Sequence, residues 1–371
     1  MNKRLKIAIF EPSRGVVGGG QKAMAKIAAH LAEKHDVTIF TQRPPEQKFE
    51  LDFGKACIKY IKPNKQFLAP LAFLLKKVSG FDLLFLGGFP ANLGSIRNSK
   101  STPCITLCYS PTRVFYDLRE HLKKCSTRSG QIKLIFKTIF LRRLDYMASQ
   151  KTHLILAISK TIEERVKRYY KRKSVVFYPG IDSYQFKKGK YNNYILSVAR
   201  FVSAKRVDMI IKSMEYVKNK KIQMYIVGAG EREKEYRALA KKYPNVKFLG
   251  FVSNKKLFEL YANCLAAIYI PIDEDEGYVP IEAGASEKTT IGVNEGGLRE
   301  TIINGKTGFL IDNVTPQKVA EKIDFLANNK KIAKKMGKEA YKYTRKFDWK
   351  NTLTELDKAI EKLLKIKAKV K

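Results

Sequence analysis

Glu274-Asp275-Glu276-Gly277-Tyr278-Val279-Pro280-Ile281-Glu282-Ala283 is the stretch on which the fold turns. Before it runs Leu265-Ala266-Ala267-Ile268-Tyr269-Ile270, an unbroken apolar segment of the kind found in parallel strands buried on both faces. Pro280 fits only the first turn of a helix, where a missing N–H costs nothing. Gly284 and the alanines beside it continue a short, closely packed helix. Two carboxylates, Glu274 and Glu282, therefore flank a strand-to-helix loop. Open α/β sheets bind ligands at the carboxyl ends of their strands. Helix amides and the helix dipole favour an anion such as a diphosphate there. A carboxylate beside a diphosphate is costly unless it meets hydroxyls, which sugars and ribose supply. The local pattern reads as a nucleotide-sugar site or, on spacing alone, as two solvated acids in a surface loop.

Around this unit the same alternation repeats. Strands are predicted at Ile195–Val198, Met224–Val227, Val246–Phe248, Leu265–Ile270, Thr290–Val293 and Phe309–Ile311, with helices between, which implies a parallel doubly wound sheet. Arg200 and Lys205 fall on the loop after the first of these strands, where two cations can hold a diphosphate. Val227-Gly228-Ala229-Gly230 is a tight strand-end turn. Asn294-Glu295-Gly296-Gly297-Leu298-Arg299-Glu300-Thr301 is a glycine loop opening a helix.

The amino-terminal half opens in the same way. Leu5–Phe10 reads as a strand, Val17-Gly18-Gly19-Gly20-Gln21 as a glycine loop, the residues to Glu33 as a helix and Val37–Phe40 as a second strand. The glycines permit close approach of a ligand to the backbone, or simply make a flexible turn. Asp82–Leu86, Cys104–Leu107 and Leu154–Ile158 are further strands. After the second comes Cys108-Tyr109-Ser110-Pro111-Thr112-Arg113, where Arg113 is placed for a phosphate or an acidic acceptor, or is merely solvated. Residues 119–173 carry 16 Lys/Arg against 4 Asp/Glu. Within them Ile132, Ile135, Phe136, Ile139, Phe140 and Leu144 have helical spacing, interleaved with Lys133, Lys137, Arg142 and Arg143. This helix either lies on an anionic membrane or faces a core and solvates its basic side. Residues 183–193, polar and rich in Lys, Tyr and Asn, read as a linker between two domains, residues 1–183 and 184–348. Trp349 to Lys371 is a basic amphipathic helix, and Trp349 reads as a packing anchor.

The totals bound the function. A chain of 371 residues suits two domains. The formal charge is +37, with 34 Lys/Arg against 12 Asp/Glu in residues 1–180. Nucleic acid, an anionic membrane and acidic small substrates are the partners such charge suits, and a lysine-rich proteome gives the same number. No aromatic-rich recognition motif accompanies the charge, which speaks against nucleic acid. The five cysteines are scattered without a CxxC pair, which favours reduced thiols in the cytoplasm and no zinc site. His30, His35, His121 and His153 lack metal-ligand spacing and read as surface or packing residues. No secretory leader follows Leu5–Phe10. The apolar run near Phe67–Leu75 is too short to span a bilayer.

Taken in this order, the motifs resemble the large retaining glycosyltransferase family numbered four, of GT-B fold. The resemblance rests on Glu274 and Glu282 with seven residues between them, then Gly296-Gly297-Leu298-Arg299-Glu300-Thr301. Ser197-Val198-Ala199-Arg200-Phe201 through Lys205 is similar to the family's Arg/Lys pair, Gly18-Gly19-Gly20-Gln21 to its amino-terminal glycine loop, and Tyr178-Pro179-Gly180-Ile181-Asp182 to the segment closing its first domain.

The resemblance implies two Rossmann-like doubly wound parallel-sheet domains facing across a cleft, with the helix 349–371 returning to the first. By the same resemblance Arg200, Lys205 and Glu274 are the catalytic residues. Arg200 and Lys205 contact the donor diphosphate, Glu274 the transferred sugar and Glu282 the ribose. Gly19 and the backbone amides of Gly277, Tyr278 and Val279 lie by the donor, and the base lies near Phe251 and Val252. Gly20, Gln21, Tyr109 and Arg113 are acceptor-side candidates. Many members have His-Thr-Pro where this chain has Tyr109-Ser110-Pro111, which leaves a hydroxyl in place of an imidazole. The expected activity is metal-independent, cofactor-free transfer of a hexose, mannose among the candidates, from GDP-mannose or a UDP-hexose to a glycan or lipid-linked acceptor. Polysaccharide or glycolipid synthesis at the inner face of the cell membrane fits that activity. The alternatives are a non-catalytic basic protein that binds membrane or nucleic acid, and a phosphorylase or epimerase on the same fold.

Overall fold

The computed structural model describes residues 4–12, 18–42, 51–117 and 128–370, with side chains from 138 to 367 in the last stretch. Val17, His121, Cys125 and the side chains of Lys133, Ile132, Ile135, Phe136 and Lys137 lie outside the described residues. The chain divides into two compact units, Met1–Pro179 with Thr352–Lys371, and Gly180–Asn351.

The first unit is a seven-stranded, all-parallel sheet in the order β3-β2-β1-β4-β5-β6-β7. The strands are β1 (Lys6–Phe10), β2 (Asp36–Thr41), β3 (Cys57–Tyr60), β4 (Leu83–Leu86), β5 (Cys104–Cys108), β6 (Leu154–Ala157) and β7 (Val175–Val176). The helices of this unit are α1 (Gly19–Lys34), α2 (Ala69–Leu75), α3 (Gly94–Asn98), α4 (Arg128–Lys151) and α5 (Lys160–Arg165). β4 and β5 are buried along their whole length, as parallel strands covered on both faces must be. Each fully buried Leu, Ile or Phe there stabilises the unit by about 1.5–3 kcal/mol. β3 is absent from the sequence reading for the opposite reason. It is an edge strand, all four of its residues are exposed, and it carries no apolar run.

Polar side chains tie the helices to this sheet. Asp145 of α4 is fully buried and accepts hydrogen bonds from Asn92 Nδ2 at 2.7 Å and Tyr170 OH at 2.8 Å. Burial pushes its carboxyl up to about 6, against the pull of those donors. His153 Nδ1 accepts from the Cys104 amide at 3.0 Å, and His30 Nε2 lies 3.0 Å from Asp357, which also takes Lys34 at 2.7 Å. These two histidines have packing roles, as expected.

The second unit is a six-stranded parallel sheet in the order β10-β9-β8-β11-β12-β13. Its strands are β8 (Tyr194–Val198), β9 (Gln223–Val227), β10 (Val246–Gly250), β11 (Ala266–Tyr269), β12 (Thr289–Val293) and β13 (Gly308–Ile311). All six coincide with predicted strands. The helices are α6 (Val207–Tyr216), α7 (Glu233–Ala240), α8 (Asn254–Asn263), α9 (Tyr278–Ala285), α10 (Leu298–Thr301), α11 (Pro316–Asn328) and α12 (Lys330–Thr344). A last helix, α13 (Trp349–Val370), starts in this unit, and its body from Thr352 belongs to the first.

α9 packs on α12 through glycines. A Cβ on Gly284 would stand 2.5 Å from Thr344 Cγ2, and one on Gly337 would stand 2.1 Å from the Glu287 carbonyl. The polar stretch 183–193 is held along this unit. The amides of Lys190 and Asn192 donate to Asn263 at 3.1 Å each, and the Tyr191 hydroxyl donates to the Glu287 carbonyl. Lys288, 1% exposed, stands 3.5 Å over the Tyr191 ring, and burial lowers its ammonium to about 8. Trp349 is buried against Gly180.

Candidate functional site

The order of the second sheet reverses between β8 and β11, where chain direction across the sheet switches. Crevices at such points are where open parallel sheets take ligands. The loop after β8 supplies Arg200 and Lys205, and the loop after β11 supplies Glu274. Lys205 Nζ donates to Glu274 Oε2 and, at 2.8 Å, to the Tyr269 hydroxyl. Both charged side chains are mostly buried, at 16% and 22% exposure, so their attraction is screened less than a surface pair's. Burial, then Glu274, holds the Tyr269 phenol well above its ordinary range. Lys205 is thus fixed at the strand ends. Arg200 is exposed on the same loop.

Three loops are locked together around this pair. Arg206, at φ +49°, donates to Glu295 Oε1 at 2.9 Å, and Glu295 Oε2 accepts from the Asp273 amide at 3.1 Å. Ile272 N donates to the Ala204 carbonyl at 2.8 Å, and Gly297 N to the Glu274 carbonyl at 2.7 Å. Gly296 and Gly297 lie directly against this loop. Their Cβ positions would be 2.3 Å from the Glu274 carbonyl oxygen and 2.6 Å from Glu276 Cα. Only glycine fits at either position.

Gly277, at φ +92°, precedes α9, and Pro280 sits in the first turn of that helix, as predicted. Glu282, half-buried on α9, accepts from the Tyr261 hydroxyl at 2.7 Å. Phe251 is 70% exposed and Val252 half-buried on the loop after β10, two strands away from β8. The structure therefore brings Lys205 and Glu274 into contact. Glu282 is placed on the following helix and Phe251 toward the sheet edge.

The sequence reading did not single out Tyr269, Arg206, Glu295 or Glu276. Arg206 follows Lys205 directly and Tyr269 ends β11, one residue before the end of the predicted strand, so position alone could have marked them. Glu276 had no such signal. It is 3% exposed, and neither carboxyl oxygen has a hydrogen-bond partner among the described residues. Burial, reinforced by Glu300, Glu274 and Asp275, raises its carboxyl well above 4.5. The folded chain therefore holds this proton to higher pH than the unfolded chain does. The stability this contributes is complete below 4.5 and is lost as pH rises toward the folded value. Glu276→Gln is expected to remove that loss and to be more stable than wild type at pH 8 by about 1–3 kcal/mol. Urea denaturation at pH 5 and pH 8 checks this. An unchanged difference between the two pH values would contradict it.

In the first unit the order reverses between β1 and β4. Tyr109, after β5, donates its hydroxyl to the Gly20 carbonyl at 2.7 Å. Its ring lies between Gly20 and Gly88, each of whose Cβ positions would come within 3.2 Å of it. Gln21 Oε1 accepts from the Gly18 amide at 2.7 Å, which caps α1, and Gly19 is exposed. Arg113 donates to Asp117 at 3.1 Å. Gly20 and Tyr109 are brought together, while Gln21 serves the helix end. Among the described residues no group of three or more His, Cys, Asp or Glu is placed to hold a metal ion.

Comparison with known proteins places the chain by family and by fold. The family model described as glycosyltransferase family 4 matches residues 17–185, and that described as glycosyl transferases group 1 matches residues 181–343. An α-1,3/1,6-mannosyltransferase, ALG2, of Dictyostelium discoideum is 24% identical over 97% of this chain and 99% of its own. An uncharacterized glycosyltransferase of Methanocaldococcus jannaschii is 27% identical over 64% of this chain and 68% of its own. Among solved structures, Anabaena HepE in complex with UDP and glucose superposes with a TM-score of 0.77 at 19% identity, over 97% of this chain and 100% of that one. Sucrose-phosphate synthase from Thermosynechococcus elongatus gives 0.80 at 17% identity, over 98% and 100%. With both units matched in sequence and the whole chain matched in fold, this protein belongs to glycosyltransferase family 4 and has the GT-B fold.

Proposed function

We propose that the chain transfers a hexose from a nucleoside-diphosphate sugar to a glycan or lipid-linked acceptor, with retention of anomeric configuration. The observation that carries this reading is Lys205, held by Glu274 and Tyr269 at the switch point of the second sheet. In the proposed step the bond from the anomeric carbon to the diphosphate breaks, and its electron pair leaves with the diphosphate. The acceptor oxygen bonds to the same face of the carbon, and its proton passes to the departing phosphate oxygen. Arg200, Lys205 and the first amides of α9 offset the charge that builds on the diphosphate, and in this reading they do so without a metal. Glu274 orients the sugar, and Glu282 takes the ribose hydroxyls. The relative named a mannosyltransferase supports mannose as the transferred sugar, and the structural neighbour solved with UDP and glucose supports a UDP-hexose as the other candidate donor.

Glu282→Ala tests the assignment. Its donor Kd is expected to rise at least tenfold by calorimetry, while turnover at saturating donor is largely kept. Unchanged donor affinity would contradict the ribose role.

A membrane-borne acceptor is part of the proposal. No described helix is long and apolar enough to cross a membrane. On α4, however, Ile139 and Phe140 are 56% and 64% exposed beside the exposed Arg142 and Arg143. Apolar side chains among cations suit a helix lying on an anionic surface. The protein is expected to float with anionic liposomes at physiological salt and not with neutral ones. Absence from the anionic liposome fraction would end this part.

A further inference from the structure

Glu276 lies on the loop that carries Glu274, immediately before Gly277, the N-cap of α9. Its carboxyl is sealed from water and accepts no hydrogen bond among the described residues. Its backbone is clamped. A Cβ on Gly297 would stand 2.6 Å from Glu276 Cα and 2.8 Å from its amide nitrogen, and one on Gly277 would stand 2.9 Å from Leu298 Cδ1. The Gly297 amide donates to the Glu274 carbonyl at 2.7 Å. The loops 273–277 and 294–298 therefore close on each other backbone to backbone, with a buried acid beside the seam.

The charges that bear on this carboxyl are Glu300 on α10 and Glu274 and Asp275 on its own loop, all of one sign. The neighbouring cations are bonded elsewhere, Lys205 to Glu274, Arg206 to Glu295 and Arg299 to Asn294. A buried carboxylate with neither a donor nor a cation is costly, so the folded chain keeps the proton. An acid that makes no bond adds nothing to packing that an apolar side chain lacks. Its position, however, couples it to a ligand. In the reading above the diphosphate meets the first amides of α9, where a helix start favours an anion. An ionised Glu276 just before that helix would repel the diphosphate across a poorly screened distance. By linkage the proton then favours the diphosphate, and the diphosphate holds the proton on.

We propose that Glu276 is a positioning residue for the donor: neutral, it leaves the α9 amides to the diphosphate, and ionised, it repels the diphosphate and opens the loop seam. This rests on the glycosyltransferase reading above and deepens it, because it adds a proton-linked control of the same site. Donor binding to the ionised protein takes one proton from solvent onto a Glu276 oxygen, and affinity falls as pH rises. The second unit holds no histidine to obscure this, since His30, His35, His121 and His153 all precede residue 180. Lys288, lowered to about 8, is common to wild type and to a variant at Glu276, so the comparison cancels it.

The test is calorimetry of the full chain with UDP-glucose and GDP-mannose, whose diphosphates keep their charge between pH 6.5 and 8.5. Over that span the wild-type donor Kd is expected to rise at least fivefold, and that of Glu276→Gln less than twofold. At pH 8.5, titrations in two buffers of different protonation enthalpy are expected to show proton uptake by wild type and none by the variant. A role in packing alone would move neither readout. If Glu276→Gln does not fold, proton uptake by wild type at pH 8.5 and its absence at pH 6.5 carry the comparison. Equal pH dependence in the two proteins, or no proton uptake by wild type at pH 8.5, would overturn this inference alone. No binding of either donor by wild type at pH 6.5 would instead refute the donor reading, and this inference with it.

Discussion

Lys205→Ala is expected to lower turnover at least tenfold at saturating donor, because it removes a fixed charge from a developing anion. Two effects act together. The leaving diphosphate loses the cation that stands at the strand ends, and Glu274 loses its counter-ion beside the Tyr269 phenol, already held well above its ordinary range. A partly buried carboxylate without its partner is costly, so the loop after β11 is expected to loosen as well. Steady-state turnover with saturating donor reads the first effect, and thermal unfolding reads the second. Near-normal turnover would remove Lys205 from the chemistry.

Gly296→Ala is the second large effect. The residue is at φ +52°, and an added Cβ would lie 2.3 Å from the Glu274 carbonyl oxygen and 2.8 Å from the Asp273 carbonyl carbon. Both obstacles are backbone, so no side chain can swing aside. Left-handed strain and the overlap together are expected to cost about 2–4 kcal/mol. Because the displaced atoms belong to the loop that carries Glu274, donor affinity is expected to fall more than tenfold. Gly305→Ala is the control. It has φ +74° and nothing within 4 Å of its Cβ position, so it carries strain alone, about 1 kcal/mol. Chemical denaturation and calorimetry compare the two. Equal behaviour would show that the packing of Gly296 on Glu274 is unimportant.

The inner strands β11 and β12 of the second unit were legible because a parallel strand covered on both faces needs a continuous apolar run, and Ala266–Tyr269 shows one; the edge strands β10 and β13 were legible because they keep apolar residues such as Phe248 and Phe309–Ile311. β3 was not legible, because an exposed edge strand is under no such demand. The strand-end loops were legible from Pro280 and the glycines, whose backbone requirements are local. The contact between Lys205 and Glu274 was not. It depends on β8 lying beside β11, which is a property of strand order and not of spacing.

Composition misleads where tertiary packing overrides it. Residues 183–193 are mostly exposed, as their polar composition suggests, yet the amides of Lys190 and Asn192 bond to Asn263 and Tyr191 covers the buried Lys288. Glu276 looks like a surface acid, yet Gly297 packs onto its backbone and the carboxyl is sealed from water. Tyr109 differs from the histidine common in the family, and its hydroxyl reaches the carbonyl of Gly20. The absence of side chains at Gly20 and Gly88 is what admits its ring.

The central claim is that the second unit grips an activated sugar by its diphosphate. Calorimetric titration of the full chain with UDP, GDP, UDP-glucose and GDP-mannose, repeated on Lys205→Ala, tests it most directly. The account predicts one-to-one binding of at least one nucleotide and of its sugar conjugate, weakened at least tenfold in the variant. Absence of binding by all four, or equal affinity in wild type and variant, would contradict it.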